Sequence, residues 1–516
     1  MIFASPLPDV EIPEQLLTEV VLRHAADQPD KAALIDGPTG RVLTYGALAD
    51  QVRRFAGGLA ARGLGPGSVV ALMAPNVPEY AVVFLGTAYA GAAITTINPT
   101  YTAAEVHHQL EDSGARLLVT IGMFLETARA GAEGTDVEEL FTIDRVDDVR
   151  PVTELLGDPL ATEVRVPLGT TVALPYSSGT TGLSKGVILS HANLVANIMQ
   201  VLAPLGVRDD ETIMGVLPFF HIYGMQVIMN TTLAAGATVV TMPRFDLEQF
   251  LQLHQDHRIT RSYVAPPIVV ALAKHPVVDQ YRLDALEQMF SGAAPLSAEL
   301  AEEAAARLGC EVVQGYGMTE MSPVSHLTPR GGYVPGSVGV TTPNTETLIV
   351  DPGTGEPLGV DADGEVWVRG PQVMIGYLNN ADATAATIDG DGWLHTGDIG
   401  HIDARGHLHI VDRLKELIKY KGFQVAPAEL EALLLTHPDL ADAAVIGVPD
   451  EEAGELPVAF VVTKPDRQPT EDEVCAFVAG QVATYKQLHR VSFVDAVPKS
   501  ASGKILRRVL RDQASA

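Results

Sequence analysis

The sequence predicts an α/β protein with two layered helix–strand stretches, a β-rich unit after them and a small α+β unit at the C-terminus. Three observations predict it. From residue 44 to 120, and again from 171 to about 315, helical spacing of apolar residues alternates with short apolar runs. That is the rhythm of helices laid on a largely parallel sheet. After Gly331-Gly332-Tyr333 the runs shorten and Gly and Asp turns separate them, and from about Leu414 a fresh helix–strand pattern begins.

The elements follow in order. Thr44 offers an N-cap oxygen, and Leu48, Val52, Phe55 and Leu59 then fall on one helical face that ends near Gly63, with Pro66 beyond. Residues 68–73, 92–97 and 116–120 read as buried strands, and 78–89 and 103–113 as helices. Short strands at 346–350, 364–369 and 407–411 predict a β-rich subdomain or barrel. Pro427 opens a helix through Leu430, Leu433 and Leu434, followed by strands at 443–448 and 458–462 and a helix at 471–482. Two uncharged runs, 80–104 and 212–243, are long enough to raise the question of a membrane span. Gly86, Gly91 and Asn98-Pro99 interrupt the first, and Pro218, Gly224, Asn230 and Gly236 the second. Each therefore reads as a buried helix followed by a buried strand, and no membrane span is expected.

A chain of 516 residues exceeds one ordinary core, so two to four domains or subdomains are expected. Its net charge of −29, from 35 basic and 64 acidic residues, argues against nucleic acid or anionic membranes as partners. An anionic ligand would need a locally basic site inside an acidic shell, so individual Lys and Arg residues become informative. Cys310 and Cys475 are the only cysteines, which excludes a disulfide framework and a Cys-based metal cluster. A cytoplasmic location is expected: the first residues lack a basic segment before an apolar one, and the last three are not the peroxisomal tripeptide.

Four motifs carry chemistry. The run Tyr176-Ser177-Ser178-Gly179-Thr180-Thr181-Gly182-Leu183-Ser184-Lys185-Gly186 follows a strand expected at 171–176. Its glycines let backbone N–H groups converge on phosphate oxygens, its hydroxyls add donors and Lys185 adds charge. It is not a P-loop, because Lys185 follows Ser184 and precedes Gly186. In Gln314-Gly315-Tyr316-Gly317-Met318-Thr319-Glu320, two glycines let the chain pass close to a planar ligand, Tyr316 can stack on a base and Glu320 offers a hard oxygen to Mg²⁺. Thr396-Gly397-Asp398 with Arg413 supplies an acceptor for two ribose hydroxyls and a cation. Gly503-Lys504, in the basic segment Pro498 to Arg508, places an ammonium on an arm. Taken singly, each has an ordinary alternative: a surface loop, a capping Glu, an Asp–Arg pair between turns, a solvated helix start.

In this order the four motifs resemble the adenylate-forming superfamily of acyl-CoA synthetases, peptide-synthetase adenylation domains and luciferases, over nearly the whole chain. The likeness is closest to 4-coumarate–CoA ligases, through Leu217-Pro218-Phe219-Phe220-His221-Ile222-Tyr223-Gly224, Tyr263-Val264-Ala265-Pro266-Pro267, Ser291-Gly292-Ala293-Ala294-Pro295-Leu296 and the segment from Asp412 to Pro427. The resemblance implies an N-terminal adenylation domain over 1–412 made of two α/β subdomains and a β-barrel. It also implies a hinge over 413–418 pivoting at Lys415, and a mobile C-terminal lid over 419–516. It implies that Ser177, Ser178, Gly179, Thr180, Thr181, Gly182 and Lys185 wrap the ATP triphosphate, with Glu320 and Thr180 or Thr181 near Mg²⁺. Gln314, Gly315, Tyr316 and Thr319 would frame the adenylate, and Asp398, Arg413 and Lys415 would complete the nucleotide site.

By the same resemblance Lys504 serves the first, acyl-adenylate-forming step, the catalytic His221 lines the acyl pocket and adjusts between the two half-reactions, and Lys419 and Gln424 enter in a rotated state that forms the thioester. Arg244, Lys421 and Gly422 would contact coenzyme A. The acyl pocket would comprise His221, Tyr223, Val227, Ala293, Gly315, Pro323 and Val324. The plant ligases more often carry serine where this chain has Val227, so a wholly apolar pocket discriminates weakly for a ring hydroxyl. The implied activity is an AMP-forming acid:CoA ligase for 4-coumarate or cinnamate, with a medium- or long-chain fatty acyl-CoA synthetase as the alternative. Luciferase-type oxidation and a carrier-protein acceptor share the first step; a P-loop kinase or ATPase is disfavoured by the position of Lys185, and a non-catalytic binding protein by the intact Lys504, His221 and Glu320. A small-molecule acid, ATP and CoA are the implied partners of a monomer or weak dimer.

Overall fold

The computed structural model describes residues 1–177, 184–421, 423–450, 453–500 and 503–514. Strands Val69–Met73, Ala93–Thr96, Leu117–Thr120, Glu139–Thr142 and Thr171–Ser177 lie parallel in a seven-stranded sheet. Lys185–Ser190 and then Gly376–Tyr377 extend one edge, each antiparallel to its neighbour. A second sheet has nine strands, six of them parallel at its centre: Glu311–Gly317, Gln288–Ser291, Arg261–Val264, Thr212–Gly215, Thr238–Thr241 and Ala32–Asp36. The last of these comes from before the first sheet begins. Local alternation could not reveal that crossing, because periodicity reports an element's own faces and not its neighbour.

Helix Pro78–Tyr89 joins the two sheets. It is buried from Tyr80 through Ala88 and touches Val69–Met73 of one sheet and Ala32–Asp36 of the other. An apolar surface all round is what a helix between two layers requires. The neighbouring helix Tyr45–Ala60 starts where expected, Thr44 Oγ1 accepting from the Ala47 N–H at 3.2 Å. The run 212–243 departs from expectation. It opens with the strand Thr212–Gly215, and its helical part is a π-helix, Tyr223–Asn230, continued by Thr231–Ala235. Among the described residues no helix is long and apolar enough to cross a membrane.

The β-rich unit is an antiparallel sheet of Ile2–Ala4, Glu346–Val350, Gly364–Arg369, Leu394–Ile402 and Leu408–Arg413. The Val338 N–H donates to the Leu408 carbonyl at 2.9 Å and Val340 bridges to His407, tying the strand Val340–Thr341 to its edge. Met321, Ile349, Val366, Val368, Leu394, Ile402 and Leu408 form the core enclosed there. Strand Leu408–Arg413 runs into a turn over 414–416, after which the C-terminal unit forms its own core around Ile418, Leu430, Val445, Val461 and Val474. Its helix Glu471–Ala479 stops three residues short of the expected end, at Gly480.

One buried ion pair stands inside the second sheet. Arg261 is 2% and Glu211 1% exposed in their side chains, with Arg261 Nε 2.9 Å from Glu211 Oε2. Breaking such a pair leaves an uncompensated buried charge. Arg208, at 3.3 Å, stays near Glu211 and softens the loss. Arg261→Met should therefore destabilise the fold by about 3 kcal/mol, the low end for a buried pair. A drop under about 1 kcal/mol in urea denaturation would place the pair among weak, exposed ones.

Candidate functional site

Two strands of the β-rich unit set the first pair of groups. Asp398 and Arg413 sit opposite each other in antiparallel register, so their side chains share a face. Arg413 Nε lies 3.3 Å from Asp398 Oδ1, and the Tyr316 phenol donates to Asp398 Oδ2 at 2.6 Å. Asp398 is 8% exposed. Burial pushes its pKa up, and Arg413, the Tyr316 hydroxyl and Lys504 pull it back. Tyr316 reaches it from the end of Glu311–Gly317 in the nine-stranded sheet, so this carboxylate is shared between two units of the fold.

The glycines around Tyr316 answer first to the protein itself. A Cβ on Gly315 would lie 2.5 Å from the Phe290 ring, and one on Gly317 would lie 2.1 Å from the Pro323 carbonyl oxygen. Close approach to a planar ligand was the expected reason; close approach to neighbouring chain is the observed one. Gln314 is buried with Oε1 accepting from the Leu296 N–H at 3.1 Å, so it braces the 291–296 loop. Thr319 is buried at the start of the short turn Thr319–Met321, which carries Glu320.

Glu320 meets the glycine-rich segment. Ser177 Oγ donates to Glu320 Oε1 at 3.0 Å and the Tyr377 phenol to the same oxygen at 2.8 Å. Among the described residues Oε2 accepts nothing, so this buried carboxylate has one hard oxygen that a cation could take. Ser177 and Lys185 pair across a β-hairpin, Thr171–Ser177 with Lys185–Ser190, whose return strand the sequence reading had not placed. Ser178, Gly179, Thr180, Thr181 and Gly182 lie outside the described residues, as does Gly422.

A third group gathers around His221 and the π-helix Tyr223–Asn230. His221, at the turn before the π-helix, receives the Tyr223 N–H on Nδ1 at 3.3 Å, which leaves its proton on Nε2. Burial, with Lys504 adding to it, pushes its pKa down to about 3. Tyr223 and Val227 are buried on the π-helix, and the Tyr223 hydroxyl donates to the Phe290 carbonyl at 3.1 Å. Ala293 holds a left-handed φ of 72°, a strain often found at binding sites. Val324 follows Pro323, its backbone held by the Asn197 amide on both sides. Asn76 fixes the loop leading to His221: its amide donates to Gly215 and Leu217 carbonyls and accepts from the Phe219 N–H.

The C-terminal unit adds two distinct surfaces. Lys504 sits within electrostatic reach of Arg413, Asp398, Glu320 and Glu416, its pKa lowered first by burial and then by Arg413. A Cβ on Gly503 would lie 3.1 Å from Ala265 Cβ, so this tip is seated against the N-terminal units. Lys415 is exposed in the turn after Arg413. Lys419 and Gln424 are exposed and face each other across the hairpin Ile418–Tyr420 and Phe423–Val425. Lys421 is exposed at its tip, and Arg244 is exposed after strand Thr238–Thr241. The structure thus gathers Lys504, Asp398, Arg413, Glu320 and His221, and leaves Lys419, Gln424, Lys421 and Arg244 on open surface.

The sequence reading missed Tyr377, Phe290, Asn76 and Arg507. Arg507 donates to Glu416 of the turn at 2.8 Å and to Glu431 at 2.7 Å, anchoring the C-terminal helix beside it. The basic run 498–508 was the available signal for Arg507; the others carried no local pattern.

An AMP-binding enzyme model matches residues 21–378, and an AMP-binding enzyme C-terminal domain model matches 429–504. The chain is 45% identical to 4-coumarate–CoA ligase 5 of Oryza sativa subsp. japonica, over 100% of this chain and 98% of that one. ATP-bound MatB from Rhodopseudomonas palustris superposes with a TM-score of 0.88 at 31% identity, covering 96% of this chain and 98% of that one. A benzoate CoA ligase from Burkholderia xenovorans LB400 does so at 0.89 and 28% identity, covering 96% and 100%.

The His221 geometry has a spectroscopic consequence. With its pKa near 3, the ring stays neutral with the proton on Nε2 from about pH 5 to 8. Its imidazole ¹⁵N shifts should be flat across that window. A transition near the ordinary histidine value would contradict the burial that lowers it.

Proposed function

Since the chain belongs to the AMP-binding enzyme family, we propose that it is an AMP-forming acid:CoA ligase acting on an aromatic propenoic acid such as 4-coumarate or cinnamate. The observation that carries this reading is the seating of Lys504, from the far end of the chain, among Asp398, Arg413, Glu320 and His221.

In the first half-reaction a carboxylate oxygen attacks the α-phosphorus of ATP. The bond to the bridging oxygen of the β-phosphate breaks, and pyrophosphate leaves with that oxygen. Two anions meet and charge builds in a five-coordinate transition state, where a preorganised cation acts most strongly. Lys504 supplies it. Asp398 accepts the ribose hydroxyls, Arg413 holds the ribose or α-phosphate with Lys415 beside it, and Gln314, Gly315, Tyr316 and Thr319 frame the adenylate. Ser177, Ser178, Gly179, Thr180, Thr181, Gly182 and Lys185 wrap the leaving phosphates. Glu320, with Thr180 and Thr181, would hold Mg²⁺, which neutralises phosphate charge when bound. His221, neutral with a free Nε2–H, donates to the acid and orients it.

The second half-reaction needs an open path for the CoA thiol to the acyl carbonyl and the loss of AMP. One rigid site serves both steps poorly, and the two surfaces of the C-terminal unit answer this. A rotation of 419–516 against 1–412 about Lys415, within 413–418, withdraws Lys504 and brings in Lys419 and Gln424, with Arg244, Lys421 and Gly422 on CoA. The acid lies against Tyr223, Val227, Ala293, Gly315, Pro323 and Val324, where the Tyr223 and Phe290 rings favour a flat aromatic group. Two unpaired cysteines fit a reducing compartment such as the cytoplasm.

Lys504→Ala should cut acid-dependent pyrophosphate exchange by about 10²–10³-fold, while thiolysis of supplied acyl-AMP continues; equal loss of both steps would refute its role. Because the charged ammonium is the active form, exchange falls as pH rises through the Lys504 pKa. That pKa is lowered, so the alkaline limb of kcat/KM should lie below the ordinary lysine value of about 10.4. Lys415→Pro should spare adenylation and impair CoA transfer; normal rates for both would remove Lys415 as pivot. A panel of cinnamates, benzoates and fatty acids, read as CoA-dependent AMP release, should rank the cinnamates first. A preference for fatty acids would replace the aromatic substrate with the alternative class.

A further inference from the structure

Tyr377 belongs to none of the motifs that led to the site, yet it touches two of the groups assigned to the phosphates. The strand Gly376–Tyr377 is held from both sides. The Met374 N–H donates to the Glu320 carbonyl at 2.9 Å, and the Ile375 and Leu378 N–H groups donate to the Ile188 and Gly186 carbonyls at 3.0 and 2.8 Å. The segment therefore bridges the turn that carries Glu320 and the return strand that begins at Lys185. Just beyond, the Asn379 amide donates to Asp112 Oδ1 at 3.1 Å, and the Tyr176 hydroxyl donates to Asp112 Oδ2 at 2.6 Å, pinning the other strand of the same hairpin.

The side chain of Tyr377 acts at both its ends. Its phenol donates to Glu320 Oε1 at 2.8 Å, and Lys185 Nζ lies 4.7 Å from its ring centroid. Tyr377 is 8% exposed, and burial followed by the Glu320 carboxylate raises its pKa, so the hydroxyl stays a donor. An ammonium beside a carboxylate ordinarily pairs with it, and each then neutralises the other. Among the described residues Lys185 forms no ion pair; the face of the ring attracts it without neutralising it. The phenol and Ser177 both donate to Oε1, which leaves Oε2 without a donor among the described residues.

We propose that Tyr377 is a positioning residue that holds Glu320 and Lys185 apart and aimed, the carboxylate toward a divalent cation and the ammonium toward the phosphates of ATP. This rests on the reading of Glu320 and Lys185 given above. Two variants separate the two ends: Tyr377→Phe removes the hydroxyl and keeps the ring, and Tyr377→Leu removes both.

ATP binding is measured by calorimetry without acid, so that nothing turns over, once with excess Mg²⁺ and once with EDTA; melting curves confirm that each variant folds. Tyr377→Phe should weaken Mg²⁺-ATP about ten- to a hundredfold, the worth of one hydrogen bond to a charged group, and leave metal-free ATP within about twofold. Tyr377→Leu should weaken metal-free ATP as well, by about three- to fivefold. Wild-type-like affinity for Mg²⁺-ATP in Tyr377→Phe, or equal losses with and without metal, would overturn the inference. If Tyr377→Leu does not fold, Tyr377→Phe alone decides. A wild-type protein that binds ATP no better with Mg²⁺ would instead remove Glu320 as a cation ligand, and the inference with it. As a check on mechanism, the Mg²⁺ midpoint of pyrophosphate exchange should rise in Tyr377→Phe while thiolysis of supplied acyl-AMP is unchanged.

Discussion

Asp398 is almost fully buried, and three parts of the fold converge on its carboxylate. Burial alone would neutralise it. The Arg413 guanidinium and the Tyr316 phenol oppose that shift, and each comes from a different part of the fold. Tyr316 ends a strand of the nine-stranded sheet, while Asp398 and Arg413 lie on adjacent strands of the β-rich unit. Lys504 adds a third influence from the C-terminal unit. One carboxylate therefore draws three units of the fold together.

The same logic answers the charge of the chain. A protein of net charge −29 can hold a polyanion only where a few cations converge and are kept from pairing with the surrounding carboxylates. Lys185 is held over an aromatic ring, and Lys504 is enclosed where Arg413 and burial lower its pKa. Arg413 is the exception, because its partner Asp398 belongs to the same site. Arg507 is an opposite case, fully engaged by Glu416 and Glu431, and its work is to fix the turn beside Lys415.

Much of this was legible in the sequence because it is encoded locally. Thr44 caps the helix it was expected to cap, and the helices Pro78–Tyr89 and Ala103–Ser113 have the bounds their spacing predicted. Ser177, Glu320, Asp398, Arg413 and Lys504 stood out through residue type and order along the chain. Other features were not legible. The π-helix bearing Tyr223 and Val227 has the composition of any buried helix, and nothing in the run 212–243 announces a wider hydrogen-bonding pattern. Asn76 looks like an ordinary turn residue until its amide is seen to hold three backbone groups of the loop before His221.

By itself the sequence determined the fold class and, through the order of its motifs, the family. Each of those is a property of short segments: periodicity, capping, turn residues and motif spacing. Tertiary structure decided which segments share a sheet, so that Ala32–Asp36 joins strands two hundred residues away and Gly376–Tyr377 closes on the hairpin at Lys185. It also decided that Lys504, and not Lys419, faces Asp398. These are contacts between parts of the chain far apart in order. They depend on which faces remain to be buried once the local elements have formed, and no local pattern records that.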